Sequence, residues 1–310
     1  MMGVEKVEER KYLKFYQKVA YGSGDMGSNF MYTFVVTFLL IYLTDTVGLN
    51  AGIVGTLMMI SKIFDGITDV IFGNILDKTK SKMGKARYWM FWSTFPLAIC
   101  EILLFAFPTM SQNLQYIYFF IIYTALNSIF YTANNISYSS LTALSTKNPT
   151  ERVQLGSFRF IFALIAAIFI SSSTVNLVGT FGGGAAGWRN VAILYSLLMV
   201  LFNMIVVFFI KELPIEEEVE AEDQGNIIEN IKILFKNRYY LLILAYYLVM
   251  YAVSGITQGI GVYFATYILG DASLLGLFSL AGMLPMIVGL TLTPILVKRW
   301  GIYKVNLIGR

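Results

Sequence analysis

The chain has 310 residues, of which 57% are hydrophobic, 15% aromatic and only 14% charged, with a formal net charge of +4. That balance is too apolar for a water-soluble domain of this size and places the chain in a membrane. A single cysteine, Cys100, excludes an internal disulfide framework, and the lack of any histidine excludes a His-based metal site or catalytic triad.

The apolar runs are long enough to cross a bilayer as helices, at about 20 residues each, rather than as barrel strands. The N-terminus is charged (Glu5, Lys6, Glu8, Glu9, Arg10, Lys11) and has no small-residue cleavage site, so no cleavable signal is expected. Predicted helix 1 covers 19–42 and opens with YGSGDMGSNF, where Gly22, Gly24 and Gly27 allow close helix contact beside Asp25, Ser28 and Asn29. Helix 2, over 51–76, is followed by a basic loop with Lys78, Lys80, Lys82, Lys85 and Arg87. Helix 3 covers 88–107 and carries Glu101; helix 4 covers 116–144 with a polar second half, YTANNISYSSLTAL. Helix 5 covers 158–179 with Arg159 at its start, and the turn FGGGAAGW precedes helix 6 at 191–210.

Between 211 and 238 the composition changes to an acidic linker, and its end, NIIENIKILFKN, spaces its apolar residues as a surface helix does. Helices 7 and 8 follow at 240–269 and 274–297. The expected division is therefore a six-helix N-terminal bundle at 1–210, a cytoplasmic linker and surface helix at 211–238, and a partial C-terminal bundle at 239–310. Of the 23 Lys and Arg residues, twenty fall in the N-terminus, the 2/3, 4/5 and 6/7 loops and the tail, against Arg189 alone in the opposite loops. That asymmetry predicts a cytoplasmic N-terminus in a cell (inner) membrane.

Helix 2 carries the chemistry. Lys62, Asp65 and Asp69 share one face, with Thr68 beside it. A central Asp costs roughly 2.5–3.5 kcal/mol on insertion scales, so two on one stripe imply a water-filled or protein-lined cavity. Two carboxylates one turn apart, with hydroxyls from Thr68 and Thr132, suit a hard monovalent cation that needs oxygen ligands and compensating charge. The alternative is a structural ion network with Lys62. On helix 4, Tyr131, Asn134, Asn135, Tyr138, Ser139 and Ser140 offer hydroxyl partners and stacking faces for a sugar, or hydrogen bonds between helices. Arg159 reads as a partner for an acid or a sugar hydroxyl, or as a headgroup anchor. Asp25, a partner for Lys62 or Arg159, and Glu101 are expected to be structural.

Gly73, Asp77, Lys78, Gly84, Lys85 and Arg87 resemble the loop signature between helices 2 and 3 of the major facilitator superfamily. YGSGDMGSNF, TDTVGL, KIFDGITD and NPTERVQLGSFR together resemble the melibiose-permease-like glycoside-pentoside-hexuronide:cation symporter family over essentially the whole chain. The resemblance implies an all-α, polytopic major facilitator bundle with a complete six-helix N-terminal half and two helices of an incomplete second half. It implies a coupling-cation site at Asp65, Thr68, Asp69 and Thr132, and a sugar site at Asn29, Tyr131, Asn135, Ser139 and Arg159. The loop residues Asp77, Lys78, Gly84, Lys85 and Arg87 are expected to act as a conformational latch, with acidic lipid as a further partner for the basic ones.

The expected function is secondary active transport, the symport of a sugar or glycoside with Na+ or H+, and conceivably Li+, by alternating access. No cofactor and no nucleic-acid partner are expected, and nothing assembles the nucleophile, base and oxyanion site of an enzyme. Competing expectations are a non-transporting sensor or truncated remnant that keeps a ligand pocket, and a carrier of a lipid-like amphiphile.

Overall fold

A computed structural model describes residues 11–214 and 235–278, together with 280–282, 285 and 296. Among these residues all regular structure is helical, and seven helices are long and apolar enough to cross a membrane. They are α1 (Phe15–Thr46), α2 (Ala51–Lys78), α3 (Lys85–Phe105), α4 (Gln112–Ser145), α5 (Pro149–Thr180), α6 (Gly184–Phe209) and α7 (Arg238–Ile268). Most of predicted helix 8 and the greater part of the acidic linker lie outside the described residues.

Local chemistry sets the starts. Asn50 accepts from the N–H groups of Gly52 and Ile53 and caps α2, and Asn237 caps α7 in the same way. The sequence pattern places the start of the fifth helix at 158, but it begins nine residues earlier. Asn148 caps it, Pro149 occupies the first turn and Glu151 follows, a start signal that outweighs the polarity of the turn. Arg159 therefore sits ten residues into α5, well away from the helix end where an interfacial anchor would lie.

α1 forms the centre, packed against α5 and α6 along its length and against α7 toward its C-terminal end. Gly24 makes that closeness possible: a Cβ there would come 2.5 Å from the Tyr138 ring of α4 and 2.8 Å from Val206 of α6. α3 packs on α4 and α6, whereas α2 packs chiefly on α4 and leaves most of its surface open. One apolar cluster contains Phe34, Phe38, Phe105 and Tyr195, with Trp188 stacked on Phe34 and Phe105. A second, nearer the basic loops, contains Tyr21, Met90, Tyr138 and Val206.

Polar side chains inside this bundle join helices. Asn134 is buried and its amide reaches the Met90 carbonyl and the hydroxyls of Ser93 and Thr94 at 2.9–3.2 Å, so it holds α3 to α4. Glu101 is fully buried and accepts from Ser196 Oγ at 2.7 Å, so it joins α3 to α6 and does not reach water.

α7 touches α1 only at the end opposite the basic loops. There Thr44 and Tyr263 hydroxyls lie 2.8 Å apart and Tyr267 Oη donates to Asp45 Oδ2 at 2.5 Å. Toward the basic end, described α7 residues such as Tyr239, Leu242, Tyr246, Tyr247 and Tyr251 are exposed.

Candidate functional site

Two rungs connect α2 and α4. Ser128 Oγ donates to Asp65 Oδ1 at 2.6 Å and Thr132 Oγ1 donates to Asp69 Oδ1 at 3.0 Å. Donors and acceptors are each four residues apart, so the helices match turn for turn. Ser128 and Thr132 are buried, Asp65 is half-buried and Asp69 faces the open side. The second oxygen of Asp65 is held by Lys62 Nζ at 2.7 Å, and Asn127 Oδ1 stands 3.5 Å from the same ammonium. Lys62 therefore pairs with Asp65 and not with Asp25. Thr68 differs from its neighbours: its hydroxyl donates to the Phe64 and Asp65 carbonyls of its own helix, both at 3.0 Å.

α4 is π-helical over Ala125–Tyr131. Wide turns of this kind occur mostly at functional sites, and this one carries Asn127, Ser128 and Tyr131. Downstream, Tyr131, Asn135 and Ser139 recur at helical spacing on one face. Tyr131 stacks on Tyr32 of α1 with ring centres 5.5 Å apart. Asn135 is half-buried and Ser139 exposed, and among the described residues neither makes a hydrogen bond. Asn29 is turned along α1, donating to the Asp25 carbonyl at 2.7 Å and accepting from Thr33 Oγ1 at 3.0 Å.

Arg159 and Asp25 form a two-point ion pair, Nε to Oδ2 at 2.5 Å and Nη2 to Oδ1 at 3.3 Å. The guanidinium lies over the Tyr138 ring, 4.6 Å from its centre, and Tyr138 Oη donates to the Tyr21 carbonyl at 2.6 Å. The Tyr131–Tyr32 stack links α4, which carries Ser128 and Thr132, to α1, which carries Asp25.

At the basic end, Lys85 Nζ pairs with Asp77 at 2.8 Å, and Lys78 is exposed. Gly84 has φ +95°, a left-handed conformation suited to glycine. The backbone N–H groups of Lys85, Ala86 and Arg87 all donate to the carboxylate of Glu212, at 2.9–3.0 Å. Arg87 Nη1 also donates to the Val207 carbonyl at 3.3 Å. A carboxylate on three N-terminal N–H groups is the favoured arrangement for a helix dipole.

Sequence reasoning missed Ser128, Tyr32 and Glu212. Ser128 was legible as a hydroxyl one turn before Thr132, whereas Glu212 binds backbone groups and leaves no residue pattern to read.

The chain matches a family described as MFS/sugar transport protein over residues 20–309. It is 31% identical over 295 residues to an uncharacterized symporter of Bacillus subtilis, covering 93% of this chain and 62% of the relative. It is 30% identical over 301 residues to an isoprimeverose transporter of Lactiplantibacillus pentosus, covering 94% and 61%. It is 28% identical over 274 residues to a putative glycoside/cation symporter of Escherichia coli, covering 88% and 59%. The chain spans about three-fifths of the length of these relatives. A multi-pass helical chain, two rungs of acid and hydroxyl on facing helices and a family match over nearly every residue agree with the motifs in the sequence. The chain belongs to the MFS/sugar transport protein family.

Proposed function

We propose that this chain provides the cation site and part of the sugar site of a secondary active transporter, which carries a sugar or glycoside together with Na+, H+ or Li+. The observation that supports this best is the pair of rungs, Ser128 to Asp65 and Thr132 to Asp69, that sets two carboxylates and two hydroxyls on facing helices. The Tyr131–Tyr32 stack ties α4, which carries the hydroxyls, to α1, which carries Asp25. Relatives named for isoprimeverose and for glycoside/cation symport support a sugar cargo.

Asp65 already has a cation, the Lys62 ammonium, whereas Asp69 faces only the Thr132 hydroxyl. The coupling cation enters beside Asp69 and completes its shell on Asp65 as Lys62 turns toward Asn127. Arg159 has two of its donors on Asp25, so it offers a sugar hydroxyl its remaining N–H groups. Tyr131, Asn135 and Ser139 supply stacking surface and neutral polar contacts on the same side.

The basic loops face the cytoplasm of a cell (inner) membrane. The bundle at 1–210 and the helices at 239–310 rock about the Asp45–Tyr267 end in alternating access. The pairing of Asp77 with Lys85 then serves as the latch, with acidic lipid headgroups near the exposed Lys78. One inward positive charge at 100 mV supplies about 2.3 kcal/mol, roughly fifty-fold accumulation.

The test is accumulation of a panel of labelled sugars, isoprimeverose among them, in vesicles given a Na+, Li+ or proton gradient. Asp65→Asn and Asp69→Asn are each expected to abolish cation-stimulated accumulation. Undiminished coupled accumulation in both variants would sink the assignment.

A further inference from the structure

We propose that Ser128 is itself a ligand of the coupling cation, and that Ser128 and Thr132 exchange hydrogen-bond acceptors when the cation binds; this rests on the cation site proposed above. Two acids on one face are by themselves only a charged stripe. A second observation marks the place as a site: the hydroxyl of Ser61, one turn from Asp65 on the same face of α2, is fully buried and among the described residues has no hydrogen-bond partner. The Ser61 carbonyl lies 3.2 Å from Ser128 Oγ, and Ser128 is itself 1% exposed.

Each α4 hydroxyl has two acceptors within reach. Ser128 Oγ lies 2.6 Å from Asp65 Oδ1 and 3.2 Å from the Ser61 carbonyl. Thr132 Oγ1 lies 3.0 Å from Asp69 Oδ1 and 3.3 Å from the Asn127 carbonyl. A hydroxyl has one hydrogen and two lone pairs. While the hydrogen points at the carboxylate, the oxygen cannot also serve a cation on that side. Once a hard monovalent cation settles against the carboxylates, the lone pair must face it and the hydrogen must turn away. The Ser61 and Asn127 carbonyls already stand where those hydrogens can go. The exchange loses no hydrogen bond and adds two oxygen ligands to the carboxylates.

The π-helical turn makes the second half of this possible. It brings the Asn127 carbonyl onto the backbone N–H of Thr132, five residues on, and so within reach of the Thr132 hydroxyl as well. Because Tyr131 ends the same turn, a hydrogen bond gained by Asn127 on cation binding tightens the segment that presents Tyr131 to the sugar.

The sign of one measurement decides between ligand and brace. Ser128→Ala removes one buried oxygen and little volume. If Ser128 ligates the cation, binding of radiolabelled Na+ to the purified protein weakens about tenfold or more. If Ser128 only braces Asp65 in the cation-free protein, its removal frees that carboxylate oxygen, and Na+ binds equally or more tightly; that result overturns the proposal. Asp69→Asn separates this from the parent reading. Na+ binding lost in Asp69→Asn but unchanged in Ser128→Ala overturns the Ser128 assignment alone. Na+ binding intact in Asp69→Asn overturns the cation site on which it rests, and absence of both Na+ and Li+ binding from the wild-type protein overturns the Ser128 assignment, because a proton needs no further oxygen ligand.

Discussion

Arg159→Gln removes the cation from the pair that joins α1 to α5 and leaves Asp25 with the Tyr138 hydroxyl, 3.4 Å away, as its remaining side-chain donor. Breaking one partner of a buried ion pair costs about 3–5 kcal/mol. The side chains here are 26% and 15% exposed, so water screens part of that and about 2–3 kcal/mol remains. Loss of the guanidinium from the Tyr138 face adds about 0.5–1 kcal/mol. Asp25→Asn is expected to cost a similar 2–3 kcal/mol, since it leaves the guanidinium without a counter-charge. The double variant Asp25→Asn/Arg159→Gln carries neither lone charge and is expected to recover about 2 kcal/mol relative to the sum of the singles. Thermal unfolding of the detergent-purified protein, followed by intrinsic fluorescence, reads this as midpoints several degrees lower in each single and partly restored in the double. Arg159→Lys, which keeps the charge and loses the fork, should fall between. Strictly additive losses would refute the pair as a coupled unit.

At the basic end, Gly84→Ala combines a Cβ driven into the Glu212 carboxylate with a left-handed backbone, and Glu212→Ala removes the acceptor of three N–H groups. Each is expected to cost about 1–3 kcal/mol, read as faster proteolysis at the start of α3; unchanged protection in both would show that the clasp is idle. At the opposite end, Tyr267→Phe removes the donor to Asp45. Cysteines placed beside Asp45 should then label faster from outside the vesicle, and unaltered labelling would mean that this contact does not close the outer end. Ser128→Ala and Asp69→Asn complete the set, with the readouts given above.

The membrane class, the seven spans among the described residues and the stripe of Lys62, Asp65 and Asp69 followed from residue order alone. Apolar length counts spans and a 3.6-residue period puts i, i+3 and i+7 on one face, and both are properties of a single helix. The opposition of Thr132 to Asp69 was reached through family resemblance, and it reappears as a 3.0 Å hydrogen bond. What the sequence left open was every choice between partners. Asp25 had two candidate cations, Lys62 and Arg159, and only the packing of α1 against α5, where a Cβ at Gly22 would meet Phe158 and Phe162, gives it to Arg159. Thr68 lies within one turn of Asp65 and Asp69 on its own helix, whereas Ser128 has no acid within a turn of it in the sequence. The rotation of α2 about its axis turns the first into its own backbone, while the wide turn in α4 aims the second across the gap. Glu212 is read by backbone N–H groups, which carry no residue identity. Partner choice depends on distances between helices, and those are set by how side chains from all seven interlock.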